Sequence, residues 1–231
     1  MVDVPNSAAR LPVTVDIVAL TVHRDQLMAL LATRLLPPYQ GCHCLPGGFV
    51  LAGEGLEQAA LRELAEETGL DAAGHLEQLR TYGPLGRDPR GPVVTVAYLA
   101  LSVFSDPPQA GGDAAAAQWV AVDDVDQLAF DHAAILADGV ERARAKLEYS
   151  GLATAFCPPQ FTIAELRGVY EAVWGVRLDP RNFNRKVTST SGFIEPIARR
   201  QGVTGRPAVV YQMASGRDPA STILNPPVMR P

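Results

Sequence analysis

Two periods of apolar and polar positions divide the chain. Thr14–Val22 (TVDIVALTV) is rich in β-branched residues, and Leu27–Arg34 (LMALLATR) stays apolar, so both read as strands joined by a turn at 23–26. Leu76–Tyr82 reads as another strand. Val93–Val103 (VVTVAYLALSV) is apolar almost without interruption, the pattern of a central strand buried on both faces, and Gln118–Val120 reads as a last short one. Two stretches switch to the helical period. Leu56, Ala59, Ala60 and Leu64 share one face of a helix that stops at Thr68-Gly69. Ile135, Val140, Ala143 and Leu147 share one face of a second helix, Ala133–Tyr149. Residues 35–41, 83–92 and 105–116 collect turn residues and read as loops. Strands with one embedded and one closing helix predict an α/β (α+β) domain, a mixed sheet sandwiched by helices, over residues 1–150.

Beyond it the pattern starts afresh. Residues 151–160, with Cys157-Pro158-Pro159, read as a linker. Thr162 with Glu165 forms a capping box and Phe161 with Leu166 a hydrophobic staple, so a helix opens here. It continues through Val169, Tyr170 and Val173 and can stop at Gly175. Asp179-Pro180 begins the next helix, an N-cap followed by proline at the first helical position. Phe183 and Val187, four apart, form its buried side, and the opposite side carries Arg181, Asn184, Arg185, Thr188 and Ser189, with Lys186 between. Phe193–Arg200 and Pro207–Met213 read as two strands. A capped helix, a basic helix and a β-hairpin predict a winged helix-turn-helix over residues 161–214. Residues 215–231 contain four prolines and are expected to form a disordered tail.

Charge sharpens this division. The net charge is -5, but residues 1–149 carry 10 Lys and Arg against 20 Asp and Glu, whereas residues 150–231 carry 10 against 5. An acidic module followed by a basic one suggests that the second meets a polyanion. At 47% apolar residues the composition is that of a globular chain. Cys42, Cys44 and Cys157 do not make a disulfide framework, and Cys42-His43-Cys44 reads as strand residues alternating across a sheet, not as a zinc site. Neither a signal peptide nor a membrane span is legible, so a cytoplasmic protein without membrane partners is expected.

The chemistry concentrates in LPGGFVLAGEGLEQAALRELAEETGL, residues 45–70. Glu63, Glu66 and Glu67 sit three and four apart, so they converge on one helix patch. A solvated acidic face would explain a Glu-rich helix; so would a divalent cation, and hard Mg2+ or Mn2+ favours oxygen ligands. The spacing separates the two. Gly48, five residues, Glu54, seven residues, Arg62-Glu63-Leu64, one residue, Glu66-Glu67, one residue, Gly69-Leu70 supplies every fixed position of the Nudix box. The chain thus resembles a Nudix domain. The resemblance implies a loop–helix–loop that presents Glu63, Glu66 and Glu67 to Mg2+ (or Mn2+) bound to a pyrophosphate, with Gly48 offering backbone and Arg62 orienting the acids by pairing with Glu54.

Two further stretches resemble Nudix proteins that handle ADP-ribose: Arg87-Asp88-Pro89-Arg90-Gly91 ahead of the apolar strand, and Leu128-Ala129-Phe130-Asp131-His132 ahead of the closing helix. They imply ligand contacts from Arg87 or Arg90, against an exposed turn as the plain alternative. Asp131 and His132 read equally as an N-cap and a packing residue. The module order resembles the Nudix-related transcriptional regulators of NAD metabolism. That resemblance implies a homodimer that represses NAD biosynthesis or salvage genes and responds to ADP-ribose or another NAD-derived nucleotide. Operator DNA would meet Arg181, Asn184, Arg185, Lys186 and Thr188 on the second helix and Arg199, Arg200 and Arg206 on the wing. The intact box leaves open an Mg2+-dependent ADP-ribose pyrophosphatase, for which Asp113 is the only nearby candidate for a general base outside the box. A purely structural C-terminal module is the third reading, against which the charged helix face speaks.

Overall fold

A computed structural model describes residues 10–70, 74–83, 85–105, 111, 114–200 and 208–230. The first sheet has β1 (Val13–His23) at its centre, flanked by β2 (Gln26–Arg34) and β6 (Val94–Leu101). The path runs outward to β3 (His43–Cys44) beside β2 and to β5 (His75–Tyr82) beside β6, while β4 (Gly47–Phe49) pairs β1 and β7 (Ala114–Ala121) pairs β2. All pairings are antiparallel except β1 with β6, in register Val15 opposite Val96 and Leu20 opposite Leu101.

Alternation along β1 explains why a charged protein has so apolar a strand here. Val15, Ile17 and Ala19 face α1 (Leu56–Thr68) and pack with its Ala59, Ala60 and Leu64. Val18 and Leu20 face the other way, into a core shared with Ile135, Val140, Ala143 and Leu147 of α2 (His132–Tyr149). Helix α1 thus covers one face of the sheet, and α2 lies on the other. At Gly139 a Cβ would lie 2.7 Å from the Val18 side chain, so α2 needs the glycine to lie this close to β1.

Strand β8 (Phe161–Thr162) leads into α3 (Ile163–Trp174), α4 (Pro180–Ser189), β9 (Ile194–Arg200) and β10 (Ala208–Met213), and β10 is the middle strand of a three-stranded sheet. The capping box forms as expected: Glu165 N–H donates to Thr162 Oγ1 at 3.2 Å, and Thr162 N–H donates to Glu165 Oε2 at 2.6 Å. Trp174 Nε1 donates to the Arg144 carbonyl at 3.1 Å while Arg144 Nε donates to the Val173 carbonyl at 2.9 Å, a reciprocal pair that fastens α3 to α2.

The structure departs from the sequence expectations at several places. Residues 114–116, grouped with a loop, extend β7; three alanines carry little strand preference, and pairing with β2 supplies the order instead. Strands β4 and β8 are short and hidden by glycine or by the adjoining helix cap. Residues 151–156, read as linker, form a 3-10 helix in which Leu152, Ala153 and Phe156 are buried. Residues 215–230, read as a disordered tail, fold back on the molecule because Leu224 and Val228 find apolar cover, each 2% exposed. Cys42 is exposed and Cys44 buried, which fits the alternating reading, and burial pushes the Cys44 thiol up to about 12. Among the described residues no helix is long and apolar enough to cross a membrane.

Candidate functional site

Gly55 N–H donates to Gln58 Oε1 at 3.0 Å and so supports the start of α1, which sets the box acids along one side. Arg62 organises them. Its Nε and Nη2 donate to the two oxygens of Glu54 at 2.7 and 3.0 Å, and its Nη1 donates to Glu63 at 2.7 Å and to Glu66 at 3.1 Å. A fifth bond runs from Nη2 to the Phe49 carbonyl at 3.1 Å, tying the helix back to β4. The bonds from Glu54, then from Glu63, raise the Arg62 pKa, so it stays charged. Burial pushes the Glu63 carboxyl up, against the pull of Arg62. Glu67 Oε2 accepts the Gly47 N–H at 3.1 Å. A Cβ at Gly48 would collide with the Glu63 carboxylate, so that position requires glycine for close approach of backbone to acid.

These acids open into a cavity of about 460 Å³ that Arg34, Arg87, Arg90, Phe130 and His132 also line. Arg87 and Arg90 therefore share a cavity with the box, but differently from each other. Arg87 is buried: Nε and Nη2 donate to Asp131 at 3.1 and 2.9 Å, and Nη2 donates to Asp16 at 3.0 Å. Arg90 is exposed and anchored by Asp88, its Nη2 2.7 Å from Oδ2. Asp131 stands at the N-cap of α2 but makes no capping bond; its carboxylate serves Arg87 instead. His132 accepts the Leu45 N–H on Nδ1 at 2.9 Å, which leaves Nε2 as the donor position, 3.6 Å from Asp16 Oδ1. Burial lowers its pKa, so the ring is a neutral packing and positioning group.

Asp16 and Arg34 escaped the sequence reading, and Phe130 entered it only as part of the Leu128–His132 stretch. Asp16 interrupts an apolar strand, and a charge in such a run is a signal that could have been used. Arg34 lies over the Phe130 ring at 4.7 Å and is held by a bond from Nε to the Pro38 carbonyl at 2.9 Å. Phe130 has a φ of 55°, unusual for a bulky residue and invisible to hydrophobic periodicity.

The oxygen donors of Glu63, Glu66 and Glu67, with backbone at Gly48, have the chemistry that hard divalent ions accept. As the side chains are placed, the acids are distributed around Arg62 and Gly47, and among the described residues no three His, Cys, Asp or Glu form a group that could hold a metal ion. The donor set fits such an ion, since Glu63 and Glu66 each accept a single bond from Arg62 and keep further lone pairs.

On the second module, Asp179 Oδ1 accepts from Asn182 N–H at 2.8 Å and caps α4, with Pro180 in its first turn. Phe183 and Val187 are buried, which turns Arg181, Asn184, Arg185 and Thr188 outward; Lys186 is half-buried. The Thr188 hydroxyl donates to the Asn184 carbonyl at 2.8 Å. Arg199 is exposed on β9, opposite Val209. The side chain of Arg200, and both Arg206 and Asp113, lie outside the described residues.

The NUDIX domain family matches residues 10–139, and the family described as NrtR DNA-binding winged helix domain matches residues 153–213. The chain is 36% identical over 205 residues, covering 87% of this chain and 81% of the relative, to the ADPR responsive transcriptional repressor NtrR of Acinetobacter baylyi. The chain belongs to the NrtR-type branch of the Nudix family. Among solved structures, Shewanella oneidensis NrtR complexed with a 27mer DNA superposes with a TM-score of 0.78 at 33% identity, over 94% of this chain and 99% of that one. The Nudix domain of the same organism's NrtR, complexed with ADP ribose, is 38% identical with a TM-score of 0.56, over 61% of this chain and 94% of that one.

Proposed function

We propose that this chain is an ADP-ribose-responsive transcriptional repressor of NAD biosynthesis or salvage genes, acting as a cytoplasmic homodimer on a two-half-site operator. What supports this reading is the pairing of one cavity, walled by the Nudix acids and by Arg34, Arg87 and Arg90, with a capped helix that turns Arg181, Asn184 and Arg185 outward. ADP-ribose suits the cavity because its pyrophosphate can meet a divalent ion while Arg90 remains near enough to the surface to contact phosphate or ribose. Mg2+ or Mn2+ would be held by Glu63, Glu66 and Glu67 with backbone at Gly48, and would neutralise pyrophosphate charge. In the DNA-bound state Arg181, Asn184, Arg185 and Lys186 would enter the major groove, with Arg199, Arg200 and Arg206 near phosphates.

Fluorescence anisotropy with the operator from the protein's own upstream region tests this reading. ADP-ribose with Mg2+ is expected to weaken DNA binding, measured before any AMP accumulates so that turnover does not mimic relief, and operator DNA is expected to weaken ADP-ribose binding by the same factor. Arg185→Ala should cost about 1–3 kcal/mol and relax sequence preference if it reads a base edge. No DNA binding at low salt would sink the proposal.

A second reading has one observation in its favour: the box is complete, with Arg62 and Glu54 joined at 2.7 Å. The chain would then also hydrolyse ADP-ribose to AMP and ribose 5-phosphate, with bound metal polarising the pyrophosphate and activating water. Product formation in the presence of Mg2+ decides it.

A further inference from the structure

Helix α2 begins at the cavity and ends beside the winged module. Its first turn carries Asp131 and His132, which hold Arg87 and the Leu45 N–H. Its 18 residues span about 27 Å. The chain continues from its far end through the buried 3-10 helix into β8. A second, non-covalent connection leaves the same place. The last carbonyls of a helix have no partner within it, and here the 218–230 segment supplies two. Leu224 N–H donates to the Tyr149 carbonyl at 2.8 Å, and Val228 N–H donates to the Glu148 carbonyl at 2.9 Å. Gly151 N–H donates to the Thr222 carbonyl at 3.1 Å, so the segment runs as an added edge along the helix end. Arg230 then clamps α2 from the side, its Nη2 3.1 Å from Glu141 and its Nε 3.5 Å from Glu148.

The other side of the segment faces the DNA-reading helix. Val228 and Met229 form one wall of a groove whose other wall is Trp174, Asn182, Phe183, Arg185 and Lys186. Leu224 and Val228 belong to the same apolar core as Trp174, Phe183 and Val187. Between β10 and the segment, Ala214 N–H donates to the Phe193 carbonyl at 3.0 Å, four residues beyond the end of α4. Asp218 tightens the bend by accepting from Ala220 and Ser221 N–H at 3.2 and 3.1 Å.

We infer that residues 218–230 are a strap that fastens α4 to the C-terminal end of α2, and that a shift of α2 caused by ligand at its N-terminal end reaches the DNA-reading helix through it. This rests on the repressor reading for its ligands, but the fastening itself does not. A displacement of α2 relative to α3 would otherwise be absorbed in the 151–160 connection; with the strap in place, the helix end and α4 move together.

The test uses the full chain and the variants Arg230→Glu, Val228→Asp and the exchange pair Arg230→Glu with Glu141→Arg. Two measurements are made: amide hydrogen exchange of α4 without ligands, and operator affinity with and without ADP-ribose in Mg2+, read before any AMP accumulates. Arg230→Glu, a change at an exposed side chain, is expected to speed α4 exchange several-fold and to shrink the ADP-ribose effect on operator affinity at least threefold. ADP-ribose affinity without DNA should stay within twofold, and the exchange pair should restore part of both readouts, because the Glu141 pairing is rebuilt while Glu148 is left facing a like charge. Val228→Asp should do the same more strongly; if it fails to fold, Arg230→Glu decides alone. Unchanged α4 exchange and an unchanged ADP-ribose effect in Arg230→Glu would overturn the strap. If the parent chain itself shows no ADP-ribose effect on DNA, the repressor reading falls, and α4 exchange still decides whether the strap fastens.

Discussion

Arg62 shows how much one side chain can organise. Four of its bonds end on the three carboxylates Glu54, Glu63 and Glu66 and one on a strand carbonyl. A lysine there keeps the charge but cannot fork onto both Glu54 oxygens while reaching Glu63 and Glu66. Arg62→Lys is therefore expected to weaken Mn2+-dependent ADP-ribose binding about tenfold or more, with little change in the far-ultraviolet circular dichroism; titration calorimetry checks it. Glu77 gives a pH signature away from the site. Burial disfavours its charge, but bonds from His75, Lys146 and Arg142 prevail and hold the carboxyl at about 2, below the ordinary 4.5. A depressed carboxyl pKa stabilises the fold above 4.5, and that contribution is lost as pH falls from 4.5 toward 2. Glu77→Gln should thus cost about 1–2 kcal/mol at pH 7 after solvent screening, and the difference from the parent in urea midpoint should close as pH approaches 2. At this scale the sequence was legible where helical spacing sets neighbourhood: Glu63, Glu66 and Glu67 line one cavity. It was opaque at Asp16, Arg34 and Phe130, which meet only after the sheet and the α2 start are assembled. Arg87 illustrates the difference: its place in the cavity was readable, its pairing with Asp16 and Asp131 was not.

At the scale of elements, α2 sets propensity against packing. Alanine exceeds glycine in helix preference by about 1 kcal/mol, yet a Cβ at position 139 would lie 2.7 and 2.9 Å from Val18 side-chain atoms. Val18 is fully buried and cannot move aside cheaply. Overpacking of this kind typically costs about 1–3 kcal/mol, so Gly139→Ala should destabilise the protein by about 0–2 kcal/mol net, and a lower urea midpoint with unchanged slope is the expected result. A more stable variant would mean that α2 rides more loosely on the sheet. The helices were the most legible elements because caps and period agree in them: α3 keeps its Thr162–Glu165 box and α4 its Asp179 cap. The segments that were misread share a cause. The alanines of β7, the buried 3-10 helix and residues 215–230 have weak local preferences and take their order from distant partners, which a local pattern cannot announce.

For the molecule as a whole, the charge division and the order of modules were legible from the start, and the boundary between them was the part least so. The sequence suggests two bodies on a prolyl linker. In the structure one apolar core takes Val18, Leu31 and Leu147 from one side together with Phe161, Leu166, Trp174 and Phe183 from the other, with Leu152 and Phe156 in between. Such a core melts as a unit. Scanning calorimetry of the full chain should give one transition whose van't Hoff and calorimetric enthalpies agree for the cooperative species, instead of an early winged-module peak followed by a Nudix peak. Expressed alone, residues 161–214 would expose the surfaces that Leu147 and Leu152 now cover, and should behave as a fluctuating, dye-binding state with helix content but without fixed packing.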